Sequence, residues 1–148
     1  MALPDVGAIR AALVQKLLSD APLMGLMTDG VAWDIAPQNA TKFVKLSLAD
    51  DARTDQFAVP NVAGSGTAYE ALTVLILAVA MNTSGVDVGR AAYRIEQILD
   101  QQSLTVAGYT GVTVARDRGV DTANVDPTDL TIRWQSRGAY YSVYAAPA

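Results

Sequence analysis

Apolar residues recur every three or four positions near the start of the chain. Val6, Ile9, Leu13 and Leu17 form one stripe, widened by Val14 and Leu18. That spacing predicts an amphipathic helix. Asp5 suits its positive N-terminal end and Lys16 its other end. Ser19-Asp20-Ala21-Pro22 stops it, because Pro22 lacks an N–H and disfavours helix at Ala21. Residues 23–27 have room for one short turn before the break at Asp29-Gly30. Residues 31–35 then read as a short strand, closed by Ala36-Pro37-Gln38-Asn39. Residues 43–48 read as the next, with Val44, Leu46 and Leu48 on one face and Phe43, Lys45 and Ser47 on the other.

A polar stretch at 49–67 carries Asp50, Asp51, Arg53, Asp55, Pro60 and Gly64-Ser65-Gly66. A connection of that length in a small domain is functional or mobile. The segment 69–81 is apolar on both of its faces and rich in β-branched residues (Thr73, Val74, Ile76, Val79). It predicts a central strand covered on both sides, although its length also permits a helix. Ser84 with Asp87 three positions later marks a helix start, and Val88, Ala91, Ala92, Ile95, Ile98 and Leu99 give the helix 86–101 an apolar face. Strands are expected at 104–106, 110–116 and 130–144, with a turn or bulge at Gly138. Residues 117–129 read as a polar connection with Asp126-Pro127 as a turn former. The expected fold is α+β: one domain over 1–148, an antiparallel or mixed sheet, and two main helices packed on it.

Composition narrows the chemistry. The chain has 148 residues, a net charge of −4, no His and no Cys. Ser–His–Asp triads, Cys nucleophiles, Cys/His zinc sites and disulfides are therefore excluded. The acidic balance argues against a tight nonspecific grip on nucleic acid or an anionic membrane. The start of the chain does not read as a signal peptide, and the apolar run 71–81 is about half of a membrane span. The chain reads as soluble and made in the cytoplasm. Gly64-Ser65-Gly66 lacks the third Gly of a dinucleotide fingerprint, and no Gly-Lys-Ser/Thr occurs. Thirteen of the 15 acids are Asp, most of them in expected connections, without calcium-loop spacing. Charged residues are 18% of the chain against about 25% in an average domain. A surface short of charge suits coverage by another chain. A small enzyme using carboxylates such as Glu70 and Glu96, or a Tyr, is one alternative, and a stand-alone ligand-binding α+β domain is another.

The order of elements carries a resemblance. An amphipathic helix leads to a short strand with Trp33, then Ala36-Pro37-Gln38 and the 43–48 strand. A long strand, the 86–101 helix and an aromatic C-terminal strand with Trp134, Tyr140, Tyr141 and Tyr144 follow. This order, with the aromatic-x-x-Ala-Pro-Gln passage from Trp33 to Gln38, resembles the tail-completion (tail terminator) proteins of long-tailed bacteriophages and phage-like particles. The resemblance spans nearly the whole chain. It departs at Lys42-Phe43, where the family often has Pro-Tyr, and at Met81-Asn82, where it often has Trp.

The resemblance implies an α+β subunit of a virion, made in the host cytoplasm and placed in the tail or neck. It implies a hexameric ring that caps the tail tube, with the tail tube protein and a head-completion or neck protein as partners. DNA passes through without specific binding, no membrane is contacted, and no catalysis, metal or cofactor is implied. Size arithmetic is compatible: a 148-residue globule is about 38 Å across, and six touching spheres leave a hole about as wide. Within 49–67, Arg53, Asp55, Phe57 and Val59 are then candidates for contact with a neighbour, the tube or the connector. Asp50, Asp51 and Asp55 are candidates for an acidic lumen, where carboxylates would repel the DNA backbone within about 8 Å.

Overall fold

A computed structural model describes residues 6–36, 38–54, 69–82 and 85–147. The first apolar stripe forms α1 (Val6–Leu18), with Ile9, Leu13 and Leu17 fully buried. Asp20 caps the next helix, α2 (Ala21–Leu26), its carboxylate accepting the Leu23 N–H at 3.0 Å. Pro22 sits in the first turn of α2, where its missing N–H costs no helical bond. The turn expected at 23–27 is thus a short helix that starts two residues earlier. The remaining elements are β1 (Val31–Trp33), β2 (Lys42–Thr54), β3 (Tyr69–Met81), α3 (Gly85–Leu99), β4 (Gln102–Leu104), β5 (Tyr109–Val125) and β6 (Arg133–Pro147).

The six strands form one mixed sheet in the order β1-β2-β3-β6-β5-β4, parallel between β1 and β2 and antiparallel elsewhere. The fold is α+β, as the alternation of patterns predicted. α1 packs on β1, α3 lies on β3 and β6, and α2 contacts both of these helices. The two expected main helices are present, and α2 adds a third. Their buried faces meet one face of the sheet: Val44 and Leu46 on β2, Leu72, Val74, Ile76, Ala78 and Ala80 on β3, and Ala139, Tyr141, Val143 and Ala145 on β6. Leu13, Leu17, Val74, Ile76, Ile95 and Leu99, all placed inside by their spacing, are 0–1% exposed. Among the described residues no helix is long and apolar enough to cross a membrane.

Three expectations are corrected. Residues 49–54 belong to β2, which continues past a bulge between Leu48 and Asp50 and pairs as far as Thr54 with Tyr69. The connection expected at 49–67 therefore starts later, and residues 55–68 lie outside the described residues. Residues 117–125 belong to β5, where the pattern suggested a loop. This half of β5 pairs with β6 alone, since β4 reaches only residues 112–114, so its polar side chains stand in solvent at a sheet edge. Finally, Gly138 is neither turn nor bulge: it holds regular register with Leu77 on one side and Val120 on the other. A Cβ there would collide with the Ile76 carbonyl oxygen, so Gly allows β6 to lie close against β3.

Candidate functional site

β3 is apolar on both faces, but the helices cover only one. The other face presents Leu75, Leu77, Val79 and Met81 from β3. By register, Phe43 and Lys45 on β2 lie beside Val79 and Leu77, and Trp134 and Ser136 on β6 lie beside Met81 and Val79. At this end of the face a cleft of about 720 Å³ opens between the sheet and a lip that includes residue 36 and residues 39–41. Phe43 and Trp134 line it as an edge-to-face pair, centroids 6.3 Å apart at 69°. Ala36, Asn39, Ala40 and Thr41 face them from the lip. Lys45 lines the cleft and makes no ion pair among the described residues.

The lip is held by its sequence. Asp29 accepts the Thr41 and Lys42 N–H groups at 2.8 and 3.0 Å and the Thr41 hydroxyl at 3.3 Å. These bonds, the Thr41 amide first, keep its carboxyl below the ordinary Asp range. The Asp34 N–H donates to the Leu46 carbonyl, and the Met81 N–H donates to that of Thr41. Asp34 and Asn39 take left-handed φ of 62° and 64°, which short polar side chains tolerate. Trp33 lies under the Arg10 guanidinium of α1, 4.3 Å from the ring centre. Trp33 thus meets α1, while Ala36 lines the cleft.

At the same end of the sheet two apolar side chains are exposed, Val125 at the end of β5 at 50% and Leu130 in the β5–β6 turn at 72%. Its backbone is closed by Asp126 N–H to the Ile132 carbonyl and Ile132 N–H to the Asp129 carbonyl. Asp126 Oδ1 also accepts from Thr128 N, Thr128 Oγ1 and Asp129 N, while Asp129 Oδ1 accepts from Thr131 N and Oγ1. The bonds from Thr128 and Thr131 lower the pKa of Asp126 and Asp129, so both stay ionised through neutral pH.

One tyrosine is buried and two acids are ion-paired. Burial, and next the charge of Glu96, pushes the Tyr141 hydroxyl well above its ordinary range, so it is protonated at neutral pH. Glu96 lies 3.8 Å from Arg116, and Asp20 is paired with Arg94 at 2.7 Å. Glu70 stands on β3 opposite Ala145. No group of three potential metal-ligating side chains occurs among the described residues.

The residues singled out from the 49–67 stretch are only partly placed. Asp50 and Asp51 are strand residues of β2, in register with Thr73 and Leu72 just after the bulge. Arg53 is in register with Glu70. Asp55, Phe57 and Val59 lie outside the described residues. The cleft was not singled out from the sequence, and the turn at Asp126-Pro127 was expected only as a connection. The available signal was β3 itself, a strand apolar on both faces in a chain whose amphipathic helices suffice for one.

No protein-family model matches the chain, and no curated protein matches it. Solved structures do. A chain from the virion of a native gene transfer agent particle is 19% identical, with the match covering 98% of this chain and 99% of that one, at a TM-score of 0.62. A second solved chain is 15% identical over 97% of this chain and 96% of its own, at a TM-score of 0.59. At these identities the likeness establishes a shared fold, end to end.

Proposed function

We propose that this chain is a structural subunit of a phage-like particle, acting as a tail terminator. Copies form a ring, six in number, that caps the tail tube, joins it to the head-completion or neck proteins and lets DNA pass. The observation that carries this reading is the end-to-end fold likeness to a chain of a gene transfer agent virion. Its support from the sequence is independent: the element order and the Trp33-to-Gln38 passage resemble tail-completion proteins. The open, apolar sheet face supplies a surface that an assembling subunit would cover.

In this reading Arg53, Asp55, Phe57 and Val59 contact a neighbouring copy, the tube or the connector. Asp50, Asp51 and Asp55 contribute to an acidic lumen. Light scattering on the purified chain tests the ring. Copies of 15.6 kDa should give one closed species of about 94 kDa whose mass stops growing with concentration. A polymer that keeps growing contradicts a closed ring. Replacing residues 55–62 by Gly and Ser should leave the subunit folded but stop particle assembly. Lys at positions 50, 51 and 55 together should slow DNA passage at low salt. Unchanged passage would remove those acids from the lumen and leave the ring reading standing.

A further inference from the structure

We infer that the β5–β6 turn of one copy docks into the cleft of the next, with Leu130 entering between the lip and Trp134 and the turn's carboxylates meeting Lys45. This rests on the ring reading above, and it names the contact between copies.

Three observations converge on this occupant. The cleft is apolar, with Phe43, Val79, Met81 and Trp134 in its walls, and it holds a cation without a partner among the described residues. The turn is its complement: Leu130 is 72% exposed, and the carboxylates of Asp126 and Asp129 precede it in the same turn. The turn is also preorganised. Seven hydrogen bonds close it or cage its two Asp side chains, so little freedom is lost on docking. Leu130, exposed as it is, does not fill the cleft of its own chain. Turn and cleft share no residue, so each copy can offer a turn to one neighbour and receive one from another. Such head-to-tail contacts generate closed rings when the rotation closes.

The absence of Cys makes a clean test possible. Two full-length variants of different tag size, Leu130→Cys and Val79→Cys, are mixed under mild oxidation. A disulfide joining the two sizes is expected on a non-reducing gel. Leu130→Asp should weaken self-association roughly 10- to 100-fold by light scattering, the loss of one buried Leu. Lys45→Glu should weaken it too, and Lys45→Glu with Asp129→Lys in one chain should restore it. Rescue by the swap would not follow from a merely structural role for Lys45. A full-sized ring that yields no mixed disulfide and tolerates Leu130→Asp overturns the docking and keeps the ring, assigning the cleft to another protein or a small apolar ligand. A mixed disulfide in a species that is only a dimer supports the docking and contradicts the ring. A chain that stays monomeric overturns both.

Discussion

Replacing Gly138 by Ala probes how β6 lies against β3. A Cβ at position 138 meets the Ile76 carbonyl oxygen and comes within 2.9 Å of Ile76 C and Leu77 Cα. All three atoms are backbone of a central strand, so no side chain can rotate away, and the two strands must separate. Forced shifts of this kind cost about 1–3 kcal/mol. A weakened ladder bond adds about 1 kcal/mol. The stiffer unfolded chain returns about 0.4–1 kcal/mol. The net expectation is a loss of about 2 kcal/mol. With a urea slope near 2 kcal/mol/M, the midpoint falls by about 1 M. Urea unfolding at fixed protein concentration, followed by the fluorescence of Trp33 and Trp134, reads this directly. Gly111→Ala is the control, because nothing lies within 4 Å of its added Cβ, and it should stay within about 0.5 kcal/mol of the parent. If Gly138→Ala also stays within that range, the close approach is wrong, and the bulge expected from the sequence describes this position better.

Other outcomes follow from the same packing. Leu13→Ala and Ile95→Ala each remove a side chain that is 0–1% exposed and should cost about 2–5 kcal/mol in the same assay. Asp20→Asn should cost about 1 kcal/mol at neutral pH, kept small because the Arg94 end of the pair is 36% exposed and screened. The Arg94 hydrogen bond, and next the Leu23 N–H, holds the folded-state pKa of Asp20 below its unfolded value. Its contribution is therefore complete above about pH 4 and fades as pH falls through the lowered folded value, so the acid limb of stability should flatten in Asp20→Asn. Leu130→Asp should leave monomer stability within about 0.5 kcal/mol, since Leu130 is 72% exposed; a larger loss would place it in the core.

Much of the fold was legible because periodicity and burial coincide. Ile9, Leu13 and Leu17 mark the inner side of α1, and Val88, Ala91, Ile95 and Leu99 that of α3. The 69–81 segment was ambiguous by length, and its β-branched residues and two apolar faces pointed to the strand that β3 is. The outer half of β5 was missed for a physical reason: an edge strand paired on one side is as polar as a loop, and Arg116 to Val125 show no alternation to separate the two. β2 was cut short for a related reason, since Asp50 and Asp51 disfavour strand locally while pairing with β3 extends it to Thr54. The cleft was hidden because its parts are far apart in sequence. Phe43, Val79 and Trp134 become neighbours only through the β2-β3-β6 order, in which β6 passes next to β3 after α3 and β5 have intervened.

A cryo-electron microscopy reconstruction of particles carrying a tagged version of this chain tests the terminator ring. Six copies are expected in a closed ring where the tail tube ends, with the open sheet face of each copy covered by its neighbours. A particle lacking the chain, or holding it anywhere but at the end of the tube, would rule out a tail terminator.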